Sequence, residues 1–290
     1  MPATAAPRFF VFGGGYSAAA FLRTRDPGEI AGVTTRSAEK AEALAARGWL
    51  PFLFDGTGAG EAIASALAGT THCLVSIAPG EAGDPVLRHF ADTLLRRAPA
   101  LRWIGYLSTV GVYGDHDGAW VDETTPLAPI SKRSRERCEA ERAWDDLAAR
   151  RGVPLAILRL SGIYGPGRSP FDKLRAGTAR RLVKPGQVFN RIHVDDIAGA
   201  LTHLASHDLG GVFNVTDDEP APPQDVVAHA AALAGLPPPP DIDFATADLT
   251  PMARSFYGEN KRVSNARLKR SGYTMLFPTY REGLGALKGL

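Results

Sequence analysis

Short apolar, β-rich runs alternate with stretches of helical periodicity through the first half of the chain. Runs at residues 9–12, 30–34, 50–54, 72–76 and 103–107 predict five strands, and the run at 155–160, which follows the breaker pair Gly152 and Pro154, predicts a sixth. Helical patterns occupy residues 37–47, 85–97 and 131–151. Each gap between strands supplies the crossover of about a dozen residues that a parallel pairing requires. The alternation predicts an α/β fold, a doubly wound parallel sheet with helices on both faces. Beyond Gly165 the pattern changes, with loops around residues 167–169 and four consecutive prolines from Pro237. Residues 196–206 and 212–216 are expected to return to the sheet, and no internal repeat is visible.

Composition narrows the class of partner. The 290 residues, 44% of them hydrophobic, suffice for one large α/β domain or two coupled ones. With 33 basic and 31 acidic residues the net charge is +2, which gives no global field for nucleic acid or an anionic membrane and points to a small-molecule partner. No apolar run approaches the roughly 20 residues of a spanning helix, and the first residues lack the charged and apolar blocks of a signal peptide. A cytoplasmic protein is expected. Cys73 and Cys138 match no zinc spacing and are expected to pack rather than react, so no metal is expected.

Candidate chemistry begins directly after the first run. Gly13-Gly14-Gly15-Tyr16-Ser17-Ala18 sets G-x-G-x-x-A between an apolar strand and a helix opening of Ala19, Ala20, Phe21 and Leu22, the context in which such a loop binds a dinucleotide. Gly13 can take the positive φ of a tight turn, Gly15 lets the backbone approach a pyrophosphate, and Ala18 lets the helix close on the strand. The N–H groups of the helix start, at Tyr16 and Ser17, then meet negative charge. At the end of the second run, where NAD-binding proteins place an acid for the ribose 2′-hydroxyl, stand Thr35, Arg36 and Ser37. Arg36 offers a planar fork for a 2′-phosphate and its neighbours add hydroxyls, so NADP is the expected cofactor, with NAD as the alternative. Ser37 also suits the N-cap of the next helix, which would leave Arg36 a solvated residue before it.

Further motifs follow in order: Phe54-Asp55-Gly56, Ser76-Ile77-Ala78-Pro79, Leu107-Ser108-Thr109-Val110-Gly111-Val112-Tyr113-Gly114, the stretch from Arg159 to Tyr164-Gly165-Pro166-Gly167, Ile192-His193-Val194-Asp195-Asp196, and Val212-Phe213-Asn214-Val215. With the glycine loop they resemble the extended short-chain dehydrogenase/reductase superfamily, the NAD-dependent epimerase/dehydratase group, over nearly the whole chain. The resemblance implies a Rossmann-type domain over residues 1–165, with 190–216 returning to it, and a smaller C-terminal substrate lid from 166–189 and 217–290. It implies cofactor contacts from Asp55 and Gly56 at the adenine, from Ser76, Ile77 and Ala78 after the fourth strand, and from Ser161, Gly162 and Ile163. It places Thr109 on the catalytic Ser/Thr, with Ser108 beside it. Members often pair through helices after strands four and five, which keeps a homodimer open.

The departure from the family concerns its proton relay. Members normally carry Tyr-x-x-x-Lys on the helix after a "P-x-S" segment; counting from Pro129, the tyrosine slot holds Arg133 and the lysine slot Arg137. A guanidinium, with a pKa above about 12, exchanges no protons near neutral pH, so Arg133 supplies no relay and Arg137 keeps only a positive charge. Two readings of the pair stay open. Either they lie on a solvated helix surface, with Arg137 and Glu141 as an i,i+4 ion pair, or their shared face binds the carboxylate or phosphate of an anionic substrate. Tyr113, Tyr164 and His193 also lie in family motifs, but packing explains the tyrosines better, and His193 precedes a helix whose expected cap is Asp195 or Asp196. The loop 115–121, with its tryptophan, is a candidate to close over substrate.

Two functions are therefore carried. One is an NADP-dependent enzyme of oxidoreductase, epimerase or dehydratase type acting on a small molecule; the alternative is a catalytically inactive NAD(P)H-sensing or partner-binding protein. Sugar-nucleotide dehydratase chemistry is disfavoured, because Val110 and Gly111 stand where the resemblance would place its Asp-Glu pair.

Overall fold

The computed structural model describes residues 6–58 and 60–289. Its strands are β1 (Phe9–Phe12), β2 (Ile30–Thr35), β3 (Pro51–Leu53), β4 (His72–Val75), β5 (Trp103–Thr109), β6 (Trp120–Val121), β7 (Leu155–Leu160), β8 (Gly162–Tyr164), β9 (Arg181–Val183), β10 (Arg191–His193), β11 (Gly211–Val215), β12 (Asp241–Asp243) and β13 (Arg262–Val263). Its helices are α1 (Tyr16–Leu22), α2 (Ala38–Ala45), α3 (Glu61–Ala68), α4 (Pro85–Asp92), α5 (Lys132–Arg151), α6 (Pro170–Arg175), α7 (Val194–Ser206), α8 (Pro223–Leu233), α9 (Pro251–Phe256), α10 (Ala266–Arg270) and α11 (Tyr280–Ala286). Seven strands form one parallel sheet in the order β11-β7-β5-β4-β1-β2-β3, the predicted α/β architecture. The run at 212–216 does return to it, as β11 on the edge next to β7. The third predicted strand shortens to Pro51–Leu53, and α3, for which no prediction was made, lies between β3 and β4.

Period-two alternation in β1 divides its aromatic rings between the two faces of the sheet. Phe10 and Phe12 pack on one side, Phe12 against Phe54 and Phe90; Phe9 faces the other, against Phe21 and His72. Each such ring is buried, worth about 1.5–3 kcal/mol of apolar transfer. The connection after β1 runs to β2 on one side, and the connection after β4 runs to β5 on the other. The carboxyl ends of β1 and β4 therefore flank the topological switch point, where open α/β sheets bind ligands.

The chain divides into two compact units. The first holds the described residues up to Thr109, Lys132–Arg159 and Ala198–Phe213. Here α5 is fixed by a buried face that includes Cys138, Ala140, Glu141, Trp144 and Leu147. The Trp144 indole N–H donates to Asp84 at 3.0 Å, and Asp84 in turn caps α4 by accepting from the Val86 and Leu87 N–H groups. Cys73 and Cys138 are both buried, and burial pushes both thiols up, away from the reactive thiolate.

The second unit holds Val110–Ser131, Leu160–Ile197 and the described residues from Asn214 on. Its strands pair two by two, β8 with β10, β9 with β12, and β6 with β13, all parallel. The expected cap of α7 is corrected here. Asp196 instead accepts from the Tyr273 hydroxyl at 2.8 Å and from the Leu276 and Phe277 N–H groups at 2.7 and 3.0 Å, and the Asp195 N–H goes to His193 Nδ1 at 3.2 Å. The loop 115–121 is tied down by Asn260, whose carbonyl accepts from the His116 and Gly118 N–H groups and whose own N–H donates to Asp115. Among the described residues no helix is long and apolar enough to cross a membrane, and no group of His, Cys, Asp and Glu could hold a metal ion.

Asp217 is the least favourably placed carboxylate in this unit. It is buried, its Oδ1 accepts only from the Glu219 N–H at 3.2 Å, and Oδ2 has no hydrogen-bond partner among the described residues. Burial outweighs the attraction of Arg191 and pushes its pKa up to about 8. The folded state thus holds a proton that the unfolded chain releases near its ordinary value of 3.8, so this group's contribution to stability falls as pH rises from about 4 through about 8. Asp217→Asn removes that titration. Urea unfolding at a series of pH values from 5 to 8 is expected to show the variant gaining on the parent protein as pH rises; parallel profiles would contradict the assignment.

Candidate functional site

The turn after β1 is held from β2. The Gly13 N–H donates to Thr34 Oγ1 and the Gly14 N–H to the Thr34 carbonyl, both at 2.8 Å. Gly13 takes φ +95°, and a Cβ there would meet Ile77 Cγ1 at 2.9 Å, so both backbone and packing require glycine. Gly15 differs. Its φ of −74° suits any residue, and a Cβ would meet nothing nearer than Ser76 Oγ at 4.0 Å. Neither conformation nor packing asks for glycine at this position; what the glycine leaves is open space over the backbone, which is what a bound pyrophosphate needs. Tyr16 opens α1 half-buried, Ser17 and Ala18 are buried, and the N-cap residue, Gly15, has no side chain to cap the first turn.

At the carboxyl end of β2, Thr35 is buried and Ser37 caps α2, its Oγ accepting from the Lys40 N–H at 3.2 Å. Arg36 between them is exposed and makes no hydrogen bond or ion pair among the described residues. Asp55, at the end of β3, is exposed and engaged locally: Oδ1 accepts from the Thr57 hydroxyl at 2.6 Å and N–H at 2.9 Å, and the hydroxyl bond first among these holds the carboxyl below its usual range. Gly56 turns there with positive φ, and its carbonyl accepts from His89 at 2.8 Å. Ser76, Ile77 and Ala78 continue from β4, the first two beside Gly15 and Gly13 as just described.

At the carboxyl end of β5, Ser108 is buried and donates to Glu141, which also accepts from Arg159 Nη2 at 2.7 Å and Nε at 3.2 Å. All three side chains are buried, and deleting one partner of such a pair costs about 3–5 kcal/mol. This network corrects the expected i,i+4 pair, since Glu141 is committed to Arg159. Arg137 instead donates through Nη1 to the Leu107 carbonyl at 2.6 Å and the Tyr106 hydroxyl at 3.2 Å, with its guanidinium 5.5 Å from the centre of the Tyr106 ring. Thr109 ends the strand half-buried, and Arg133, one helical turn before Arg137, is exposed. Tyr106 and Thr34 were not singled out from sequence, and Glu141 and Arg159 were named there only as a partner for Arg137 and as part of a motif; the buried pair they form was not foreseen.

The other predicted residues lie in the second unit. Ser161 is buried, its N–H donating to the Val215 carbonyl at 3.2 Å; Gly162 donates to Asn190 at 3.0 Å, and Ile163 pairs with Ile192 across β8 and β10. The Tyr113 hydroxyl donates to Asn214 at 2.8 Å. Tyr164 is buried, which pushes its phenol up, and its ring meets His193 edge-on. His193 accepts at Nδ1, which puts its proton on Nε2, and burial lowers its pKa. A neutral ring packed against Tyr164 and Phe277 suits a structural role.

The model of the NAD dependent epimerase/dehydratase family matches residues 89–216. The solved structure of a functionally unknown conserved protein from Silicibacter pomeroyi DSS is 50% identical, covers 97% of this chain and 98% of its own, and superposes with a TM-score of 0.87. Protein YeeZ of Escherichia coli (strain K12) is 37% identical over 137 residues, 46% of this chain and 47% of its own. A 3-diazoavenalumate denitrifying reductase of a Streptomyces species is 29% identical over 178 residues, 57% of this chain and 56% of its own. The chain thus spans about half the length of the curated relatives it matches.

The two glycines should separate in a thermal melt. Gly13→Ala must adopt a positive φ against Ile77 and is expected to lose about 1–3 kcal/mol. Gly15→Ala should melt with the parent protein; equal losses would show that Gly15 is also held by the fold.

Proposed function

The chain belongs to the NAD dependent epimerase/dehydratase family, and we propose that it is an NADP(H)-dependent oxidoreductase acting on a small molecule. The observation that carries the cofactor choice is Arg36. It stands at the carboxyl end of β2 with no acid beside it and no partner among the described residues, while its neighbours Thr35 and Ser37 are engaged in burial and capping. A planar guanidinium there matches a 2′-phosphate. The space over Gly15 fits a pyrophosphate, with Gly13 shaping the turn and Ala18 seating α1.

A bound nicotinamide dinucleotide supplies or receives the hydride. This chain's residues would hold it: the 13–18 loop at the pyrophosphate, Arg36 at the 2′-phosphate, Gly56 by the shape of its turn at the adenine, and Ser76, Ile77 and Ala78 along the end of β4. Because the Asp55 carboxylate is engaged by Thr57, its part is to set that turn. Thr109 would orient the substrate, and Ser108, bonded to Glu141, would hold the strand end beneath it.

Oxidoreductase chemistry is favoured over epimerisation by what fills the relay positions. Epimerisation through a ketone requires a protein group to remove and return a hydroxyl proton, and neither Arg133 nor Arg137 can. Reduction of an acceptor that draws no proton from the protein avoids this demand, and the reductase named among the relatives supports that direction.

Arg36→Ala tests the reading without a known substrate. A charge-assisted contact to the 2′-phosphate is worth about 1.5–3 kcal/mol, so the variant should lose about ten- to a hundredfold in NADPH affinity by calorimetry and leave NADH unchanged. Equal loss for both cofactors, or a parent protein that prefers NADH, would exclude the NADP assignment.

A further inference from the structure

Charge is unevenly compensated at the start of α5. Lys132, Arg133, Arg135 and Arg137 fall in its first six residues and no acid lies in its first turn, although the helix dipole favours negative charge there. Lys132 has a partner, Glu81 at 2.9 Å. Arg133 is exposed and has none among the described residues.

Arg137 is the informative member. The residue is half-buried, and its guanidinium is anchored on Nη1 alone, by a carbonyl and a phenol, both of them neutral acceptors. Nε and Nη2 have no hydrogen-bond partner among the described residues. The carboxylate one turn later, Glu141, is neutralised by Arg159. The nearby Asp84 attracts Arg137 through space but spends its oxygens on two N–H groups and an indole and makes no hydrogen bond or ion pair with it. A half-buried guanidinium with unengaged N–H groups is costly, and an oxyanion with two acceptors in one plane would satisfy them. The anchor, the Leu107 carbonyl, also fixes where this happens: at the carboxyl end of β5, two residues before Thr109.

We propose that Arg137, assisted by Arg133, binds a carboxylate of the substrate at the carboxyl end of β5. The proposal rests on the reading of the chain as a dinucleotide-dependent enzyme and names the chemical class of its substrate. Arg137 receives the carboxylate through its unengaged N–H edge, and Arg133, four residues earlier on the same helix face, adds a second positive charge. Phosphate offers the same oxyanion chemistry, and the cofactor's own phosphates are the competing source.

The test is a titration of NADPH-saturated protein with benzoate, neutral benzamide and inorganic phosphate, followed by the arginine Nε–Hε signals in 15N-labelled protein, with NADPH affinity measured in parallel. Benzoate is expected to shift the Arg137 signal and benzamide to leave it in place, and phosphate should bind more weakly than benzoate. Arg137→Gln should weaken benzoate by about tenfold or more, Arg137→Lys should recover part of it, and Arg133→Gln should weaken it by a smaller factor, all with NADPH affinity unchanged. Should Arg137→Gln fail to fold, the Arg137→Lys and Arg133→Gln titrations decide. Benzoate that fails to bind the parent protein, or binds all variants alike, overturns the proposal. Variants that lose NADPH affinity rather than benzoate also overturn it, because the arginines would then serve the cofactor's phosphates. If the parent protein binds no NADPH, the dinucleotide reading falls, and the same benzoate series on the free protein still decides the arginines.

Discussion

Strand β2 holds the glycine turn, and most of the proposed cofactor site follows from that constraint. Thr34 accepts from two successive N–H groups of the turn, one through its side chain and one through its carbonyl. A buried strand has its backbone groups committed to neighbouring strands, so the last residues of β2 are rigid, and the turn they bind inherits that rigidity. The turn then delivers Gly15 at an ordinary φ, with open space above it, as the N-cap of α1. Two residues past Thr34 the same strand end presents Arg36. The parts proposed for the pyrophosphate and the 2′-phosphate are thus placed by one strand.

The fold treats its buried charges in two ways, and the contrast locates function. Glu141 and Arg159 neutralise one another and take up Ser108, which links β5, α5 and β7. Arg137, on the same helix, is held only by neutral acceptors. The first set is paired within the structure; the unengaged N–H groups of Arg137 at a strand's carboxyl end are what the proposal gives to a ligand. Under the proposal, arginine in place of a proton-exchanging side chain would turn this helix from proton chemistry toward charge recognition.

The sheet was legible in the sequence because its strands are buried on both faces and separated by full crossovers, so short apolar runs stand out against amphipathic helices. β3 came out shorter than its apolar run, with Leu50 and Leu53 exposed. The pairs β8–β10, β9–β12 and β6–β13 were not legible: two or three residues carry no periodicity, and their partners are distant in the chain. At the site, backbone-determined features such as the turn at Gly13 and the cap at Ser37 could be read locally. Partner choice could not. Sequence spacing offered Glu141 to Arg137 and Asp196 to the start of α7, whereas tertiary packing gave Glu141 to Arg159 and Asp196 to Tyr273, Leu276 and Phe277.

The central claim is that the 13–18 loop, fixed by β2, is a dinucleotide cradle with Arg36 at its phosphate-reading end. Amide hydrogen exchange with and without saturating NADPH addresses it most directly. The account predicts slowed exchange at the amides from Gly15 to Ala19 and at Arg36 and Ser37, with NADH protecting the loop but not the Arg36 segment. NADPH binding that protects other segments while the loop exchanges at its free rate would contradict it.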